Sequence, residues 1–158
     1  MASANGSSPG LEVRGYASLF DIKDQAGDVV RAGAFERTLL RRGPRGVRML
    51  FQHDTSEPVG VWDELREDGR GLFVRGRVLN AGARGRSATS LIREGAVDGL
   101  SIGFRCVREA PRAGGGRDLL ELDLWEVSIV TFPMLAQARL QSVADPAFDQ
   151  SETLLARA

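Results

Sequence analysis

The order of apolar and polar positions divides this chain into short elements. Leu11–Phe20 reads as a strand, with Leu11, Val13, Tyr16 and Leu19 in a stretch that has few helix signals. Asp21–Asp28 is a polar loop. Gly33–Arg42 is predicted as a short helix, because Phe35 and Leu39 stand four apart and Gly43-Pro44 supplies a stop. In Val47–Gln52 the residues Val47, Met49 and Phe51 share one face of a strand. Val59–Leu65 and Gly71–Leu79 read as a hairpin around the turn Glu67-Asp68-Gly69-Arg70. Gly82–Glu94 is predicted as a helix with Ala88, Leu91 and Ile92 as its apolar stripe and Gly95 as its C-terminal cap. Strands follow at Leu100–Val107 and Leu119–Phe132, separated by the loose loop Pro111–Gly116, and Pro133 ends the second.

Beyond Pro133 the pattern weakens. Residues 134–158 read as a tail with one helical stretch, Thr153–Arg157, and residues 1–10 as a flexible Ser/Gly/Ala lead-in without signal-peptide character. A single domain over 11–133 is left between them. Its strands and two helices do not alternate regularly, so a doubly wound sheet is not expected. The class that fits is α+β: a small, mostly antiparallel β-barrel with a few flanking helices.

Composition narrows the function classes. The 158 residues are 42% hydrophobic and 27% charged, as in an ordinary globular chain. Lys+Arg and Asp+Glu both number 21, so the basic excess of a general nucleic-acid binder is missing and no nucleic-acid partner is expected. No apolar run approaches the roughly 20 residues a spanning helix needs, so no membrane role is expected and the default location is the cytoplasm. The single cysteine, Cys106, excludes a disulfide framework and a Cys-rich zinc site. The single histidine, His53, argues against a His-based metal cage, and any histidine-dependent chemistry must use it. P-loop, GxGxxG, HExxH and CxxC patterns are absent, so neither cofactor nor metal is expected. Nucleophile-and-base arrangements are left.

Four residues are candidates. His53 continues the phase of Val47, Met49 and Phe51, so it is expected to point inward at a strand end, where an imidazole has limited solvent access. Taken alone, such a residue is more often a satisfied core histidine than a base. Ser101 lies in Gly99-Leu100-Ser101-Ile102-Gly103-Phe104, and glycines beside a serine let a substrate backbone come close. On pattern alone a solvent-facing strand serine is favoured. Glu126 is expected on the apolar phase of its strand with Leu120, Leu122 and Leu124, while Glu121 and Asp123 fall on the other. A buried acid is costly unless paired, and an arginine partner would serve as well as a catalytic one. Cys106 sits on the apolar phase of its strand with Ile102 and Phe104, which points to an inert thiol.

Four blocks in order carry a resemblance. They are Gly15-Tyr16-Ala17-Ser18-Leu19-Phe20, with Gly27-Asp28-Val29-Val30, Gly33-Ala34-Phe35 and Thr38-Leu39; Gln52-His53-Asp54 with Pro58-Val59-Gly60; the block around Ser101; and Trp125-Glu126-Val127-Ser128-Ile129-Val130-Thr131-Phe132-Pro133. From about Gly15 to Pro133 the chain resembles the tailed-phage prohead proteases, capsid-maturation serine proteases related in fold to herpesvirus assemblins. The resemblance implies a serine endopeptidase that digests scaffold, or the scaffold-like arm of the major capsid protein, inside an assembling procapsid of a phage or a phage-like gene transfer agent. It implies Ser101 as nucleophile and His53 as base, with Glu126 as the third catalytic member. Asp54 is set aside, because in an extended strand it and His53 point to opposite faces. Related viral enzymes hold the oxyanion with arginine, but neither Arg105 nor Arg108 is assigned to that role. Self-association as a switch is also implied, with Phe148, Leu154 and Leu155 as docking residues. The competing expectations are a non-catalytic capsid-assembly or scaffold-associated module on the same fold, and an unrelated small β-domain that binds a protein partner, with His53 and Ser101 only structural.

Overall fold

The computed structural model describes residues 10–144. The Thr153–Arg157 stretch, the docking residues Phe148, Leu154 and Leu155, and all but the last residue of the lead-in lie outside the described residues. The elements run β1 (Leu11–Leu19), β2 (Val29–Val30), α1 (Glu36–Arg42), a 3₁₀ turn at Pro44–Gly46, β3 (Arg48–Phe51), β4 (Gly60–Glu67), β5 (Gly71–Val78), α2 (Gly82–Arg93), β6 (Gly99–Pro111), β7 (Arg117–Val130) and β8 (Leu140–Ala144). The six strands and two helices expected from sequence are all present. The two-residue β2 and the strand β8, inside the expected tail, were not foreseen.

The strands form one mixed sheet in the order β2-β7-β3-β4-β5-β1-β8, with β6 paired to β7 off that path. The pairing path does not close on itself, so the barrel expected from sequence is not present as a closed ladder. Five of the pairings are antiparallel, and β2 and β3 run parallel to β7. The β4–β5 turn forms where it was expected. There Asp68 Oδ1 accepts from the backbone N–H of Arg70 at 2.8 Å and of Gly71 at 3.1 Å.

Helix α1 is held at its start by Glu67, whose carboxylate accepts from the N–H of Gly33 at 3.0 Å and of Phe35 at 2.7 Å. Phe35 is fully buried, as its spacing with Leu39 implied, and Gly43 at φ +62° ends the helix. Helix α2 buries Ala88 and Ile92, and Gly95 at φ +70° follows its end. Leu91, expected in its apolar stripe, is instead 39% exposed. The third buried side chain of that face is Thr89, whose hydroxyl turns back to Gly85 O at 2.8 Å. The core gathers Phe35, Met49, Trp62, Leu72, Leu100 and Ile129 into one cluster under the sheet.

Strand β7 organises the region of the candidate residues. Its C-terminal half pairs with β3 on one side, Arg48 to Glu126 through Phe51 to Ile129, and with β6 on the other. The β6 register changes between Gly103 and Phe104: Gly103 stands opposite Glu126 and Phe104 opposite Leu124. Trp125 is therefore the extra residue of a β-bulge. Neighbouring residues of β6 point to opposite faces, so Glu126 and Leu124 do too. The simple alternation assigned to β7 from sequence fails here, and Glu126 does not share a face with Leu124. The bulge instead puts Glu126, Ser128, Ser101 and Gly103 on one face.

Candidate active site

Strand β3 stops at Phe51, one turn short of the histidine. Gln52 and His53 adopt the left-handed region, φ +55° and +58°, a conformation unusual for side-chain-bearing residues. His53 is thus not an inward strand residue, and its side chain is 46% exposed. The backbone turns because Asp54 N–H donates to Phe51 O at 3.1 Å and Gln52 N–H to Ile129 O at 2.9 Å. A side-chain clamp holds the turn to the end of β7. Gln52 Nε2 donates to Thr131 Oγ1 at 2.7 Å, and Thr131 N–H donates to Gln52 Oε1 at 3.1 Å.

This turn carries the imidazole back over β7. His53 Nδ1 lies 2.5 Å from Glu126 Oε1. An ionised carboxylate only accepts, so Nδ1 carries the proton of this bond, which in the neutral ring puts the lone pair on Nε2. The other carboxylate oxygen, Oε2, accepts from Ser128 Oγ at 2.6 Å, and Ser128 Oγ accepts from His53 N–H at 3.2 Å. No arginine pairs with Glu126 among the described residues.

Ser101 is 7% exposed, which removes the reading of a solvent-facing strand serine. It stands opposite Ser128 across the β6–β7 ladder, and its hydroxyl has no hydrogen-bond partner among the described residues. Ser101 and His53 line one mostly apolar cavity of about 300 Å³, with Ala17, Leu19, Ile102 and Leu135 among its other walls. The Asp28–Arg117 ion pair, at 2.7 Å, borders it. Hydrogen bonding from the Arg117 guanidinium holds the Asp28 carboxyl below its usual range. His53 and Glu126 are in contact, and Ser101 lines the same cavity as His53.

The glycines beside Ser101 serve the protein's own chain. A Cβ at Gly103 would stand 2.3 Å from Glu126 Oε1, and one at Gly99 would stand 2.6 Å from Val130 O. The expectation that they open space for a substrate backbone is therefore corrected: Gly103 makes room for the carboxylate. Asp54 takes no part in the pair. Its carboxylate accepts from Ser56 N–H at 2.9 Å and Ser56 Oγ at 2.5 Å, and pairs with Arg84 at 2.6 Å. The Ser56 bonds, with help from Arg84, hold it below the usual carboxylate range. Cys106 Sγ lies 3.6 Å from Arg108 O, and burial followed by the Glu109 carboxylate pushes the thiol up, the opposite of an activated nucleophile.

The family model of the caudovirus prohead serine protease matches residues 2–152. The chain belongs to that family. It is 36% identical over 132 residues to the prohead protease of Enterobacteria phage HK97, covering 82% of this chain and 58% of that protein. It is 32% identical over 125 residues to the prohead protease of Escherichia phage T5, again covering 58% of the relative and 78% of this chain. The chain thus spans little more than half the length of these two members of the family. Among solved structures, the bacteriophage T4 capsid assembly protease superposes with a TM-score of 0.63 at 17% identity, over 79% of this chain and 84% of that one. The KSHV protease, solved with a hexapeptide phosphonate inhibitor, gives 0.58 at 14% identity, over 87% and 66%. These two likenesses concern the fold alone.

Three supporting residues, Ser128, Gln52 and Thr131, were not singled out in the sequence. Ser128 lies two positions from Glu126, on the same face of β7, which is the signal that could have found it. Gly103 was noticed for a different reason. The Gln52–Thr131 clamp has no local signal, because its partners are 79 residues apart.

Proposed function

We infer that this chain is a serine endopeptidase that processes scaffold, or the arm of the major capsid protein, within an assembling phage or phage-like procapsid. The observation that carries the reading is the His53 Nδ1–Glu126 Oε1 contact, with Ser101 lining the same cavity as His53. Family membership supports the class of activity, and the relatives' names supply the substrate setting.

In this reading the roles are divided as in other serine hydrolases. Ser101 Oγ attacks the scissile carbonyl carbon while His53 Nε2 takes its proton. Glu126 holds the ring in the Nδ1–H tautomer and stabilises the imidazolium that forms. His53 then gives the proton to the leaving amine as the C–N bond breaks. Water enters by the reverse use of the same groups and releases the acyl chain from Ser101. Apolar walls around the cavity limit water at the reacting centre.

The test is co-expression with a major capsid protein of the same phage or phage-like element. Ser101→Ala abolishes processing and leaves the fold intact, since the change removes one oxygen that has no partner. A serine-directed phosphonate labels the wild type at Ser101 and leaves the variant unlabelled. Equal processing by Ser101→Ala and wild type would rule the assignment out.

A further inference from the structure

We propose that Ser128 is a positioning residue for the reaction, holding His53 and Glu126 at once through a single hydroxyl. This deepens the reading of Ser101, His53 and Glu126 given above and rests on it.

The argument starts from the strand register. Ser128 is fully buried, 0% exposed, and stands opposite Ser101 in β6 on one side and Leu50 in β3 on the other. Its hydroxyl therefore sits between the strand that carries the nucleophile and the strand that leads into the histidine turn. A serine hydroxyl has one proton and two acceptor sites. The His53 backbone N–H can only donate, so Ser128 Oγ accepts there, at 3.2 Å. Its own proton is then committed to Glu126 Oε2, at 2.6 Å.

Each bond constrains a different freedom. With Oε2 anchored, the Glu126 carboxylate cannot turn about its last torsion, and Oε1 stays directed at His53 Nδ1 at 2.5 Å. With its backbone N–H anchored, His53 is held in a left-handed conformation at φ +58°, which is strained for a residue bearing a side chain. The two bonds fix the base and its orienting acid relative to one oxygen atom of the central strand. Outer partners of this kind set tautomer and ring orientation in other histidine sites.

The chain has one histidine, so the imidazole can be read directly by ¹⁵N NMR of the whole protein without resonance overlap. In the wild type the ring shows the Nδ1–H tautomer. Ser128→Ala moves it toward a mixture of the two tautomers and slows processing of the co-expressed capsid protein by about ten- to a hundredfold, the size expected for a lost hydrogen bond to a charged group. Ser128→Cys, close in volume with a weaker donor, falls between the two and guards against a folding failure of the alanine variant. Both readouts must move. A folded variant with the wild-type imidazole spectrum overturns the proposal whatever its rate, because a structural serine would change stability alone. A wild-type rate with a disturbed imidazole also overturns it, as does loss of the fold in both variants. Ser101→Ala keeps the wild-type imidazole spectrum while losing activity. If Ser101→Ala still processes its partner, the nucleophile assignment falls, and the spectra of the Ser128 variants still decide whether this hydroxyl sets the histidine.

Discussion

Two buried carboxylates stand on either side of the Trp125 bulge in β7, and they meet the cost of burial in different ways. Asp123 is surrounded by fixed cations and donors. It pairs with Arg41 and, at 3.0 Å, with Arg42; Trp125 Nε1 donates to it at 3.0 Å, and Thr38 Oγ1 lies 3.5 Å away. Glu126 meets an imidazole and a hydroxyl. An arginine stays protonated at any working pH, so Asp123 is locked into one state and ties α1 to the sheet. An imidazole can take up and release a proton, so Glu126 has a partner whose charge can change during a reaction. Two acids three positions apart would point to opposite faces of a regular strand, and the bulge places both on one face. In the proposed reading the partner, rather than the burial, separates a structural acid from a chemical one.

The strongest way to break this contrast is to remove the charge from each acid. Glu126→Gln keeps size and packing but leaves His53 Nδ1 without an ionic partner. Processing of the co-expressed capsid protein is expected to fall by about 10²–10⁴-fold, in line with triad acids elsewhere. Asp54→Asn is the control beside the histidine. Its carboxylate is bound to Ser56 and Arg84, so the rate should stay within about threefold of wild type, as for most surface changes. A crippled Asp54→Asn alongside a nearly silent Glu126→Gln would reverse the assignment of the orienting acid.

Much of this was legible in advance, and the failures share one cause. The six strands and two helices follow from periodicity and turn residues. The three candidate residues follow from scarcity, since only one histidine is present, and from the ordered blocks. Alternation along β7 was misread because a β-bulge inserts one residue without a composition signal. His53 was placed inward because extrapolating the phase of Val47, Met49 and Phe51 assumes that the strand continues. Instead the chain turns at Gln52, where contacts to Ile129 and Thr131, far away in sequence, override the local pattern. Strand β8 was missed because Leu140–Ala144 is short and is specified by its partner, β1. Local periodicity cannot carry information about a partner strand.

A smaller change should sharpen the contrast by leaving both acids in place. Gly103 is where Glu126 finds room, since an added Cβ would lie 2.3 Å from Oε1, 2.6 Å from Cγ and 2.7 Å from Cδ. The atoms in its way belong to a side chain that can swing, so Gly103→Ala should fold. The swing must move Oε1 away from His53 Nδ1. Processing is expected to drop by about ten- to a hundredfold, the scale of a misplacement near 1 Å in a catalytic group. The thermal unfolding midpoint of the same variant should fall by a few degrees, because a buried carboxylate loses a partner. Wild-type processing by Gly103→Ala would mean that the carboxylate does not need its present position.

The smallest effect expected is on acid stability, and it concerns Asp123. The Trp125 indole N–H, followed by Arg42 and Arg41, lowers its carboxyl to about 2, from an ordinary value of 3.8. A carboxyl depressed in the folded state releases its proton more readily there than in the unfolded chain. The unfolded state therefore binds more protons between the two values, and stability falls as acid is added. The contribution is fully present above about pH 4 and is lost as the pH drops toward 2. Its size at neutral pH is on the order of 1–2 kcal/mol once the partial exposure of Arg41 and Arg42 is allowed for. Asp123→Asn should lower the urea midpoint at pH 7 and flatten its decline between pH 4 and pH 2.5, while folded molecules keep their processing rate. Other arginine-bound carboxyls, Asp28 and Asp63 among them, are lowered as well and leave a residual slope in the variant. The comparison is therefore between the slope of Asp123→Asn and that of wild type. An Asp123→Asn slope equal to wild type would show that the cations around Asp123 do not favour its charged form, and the division between the two acids would fail on its structural side.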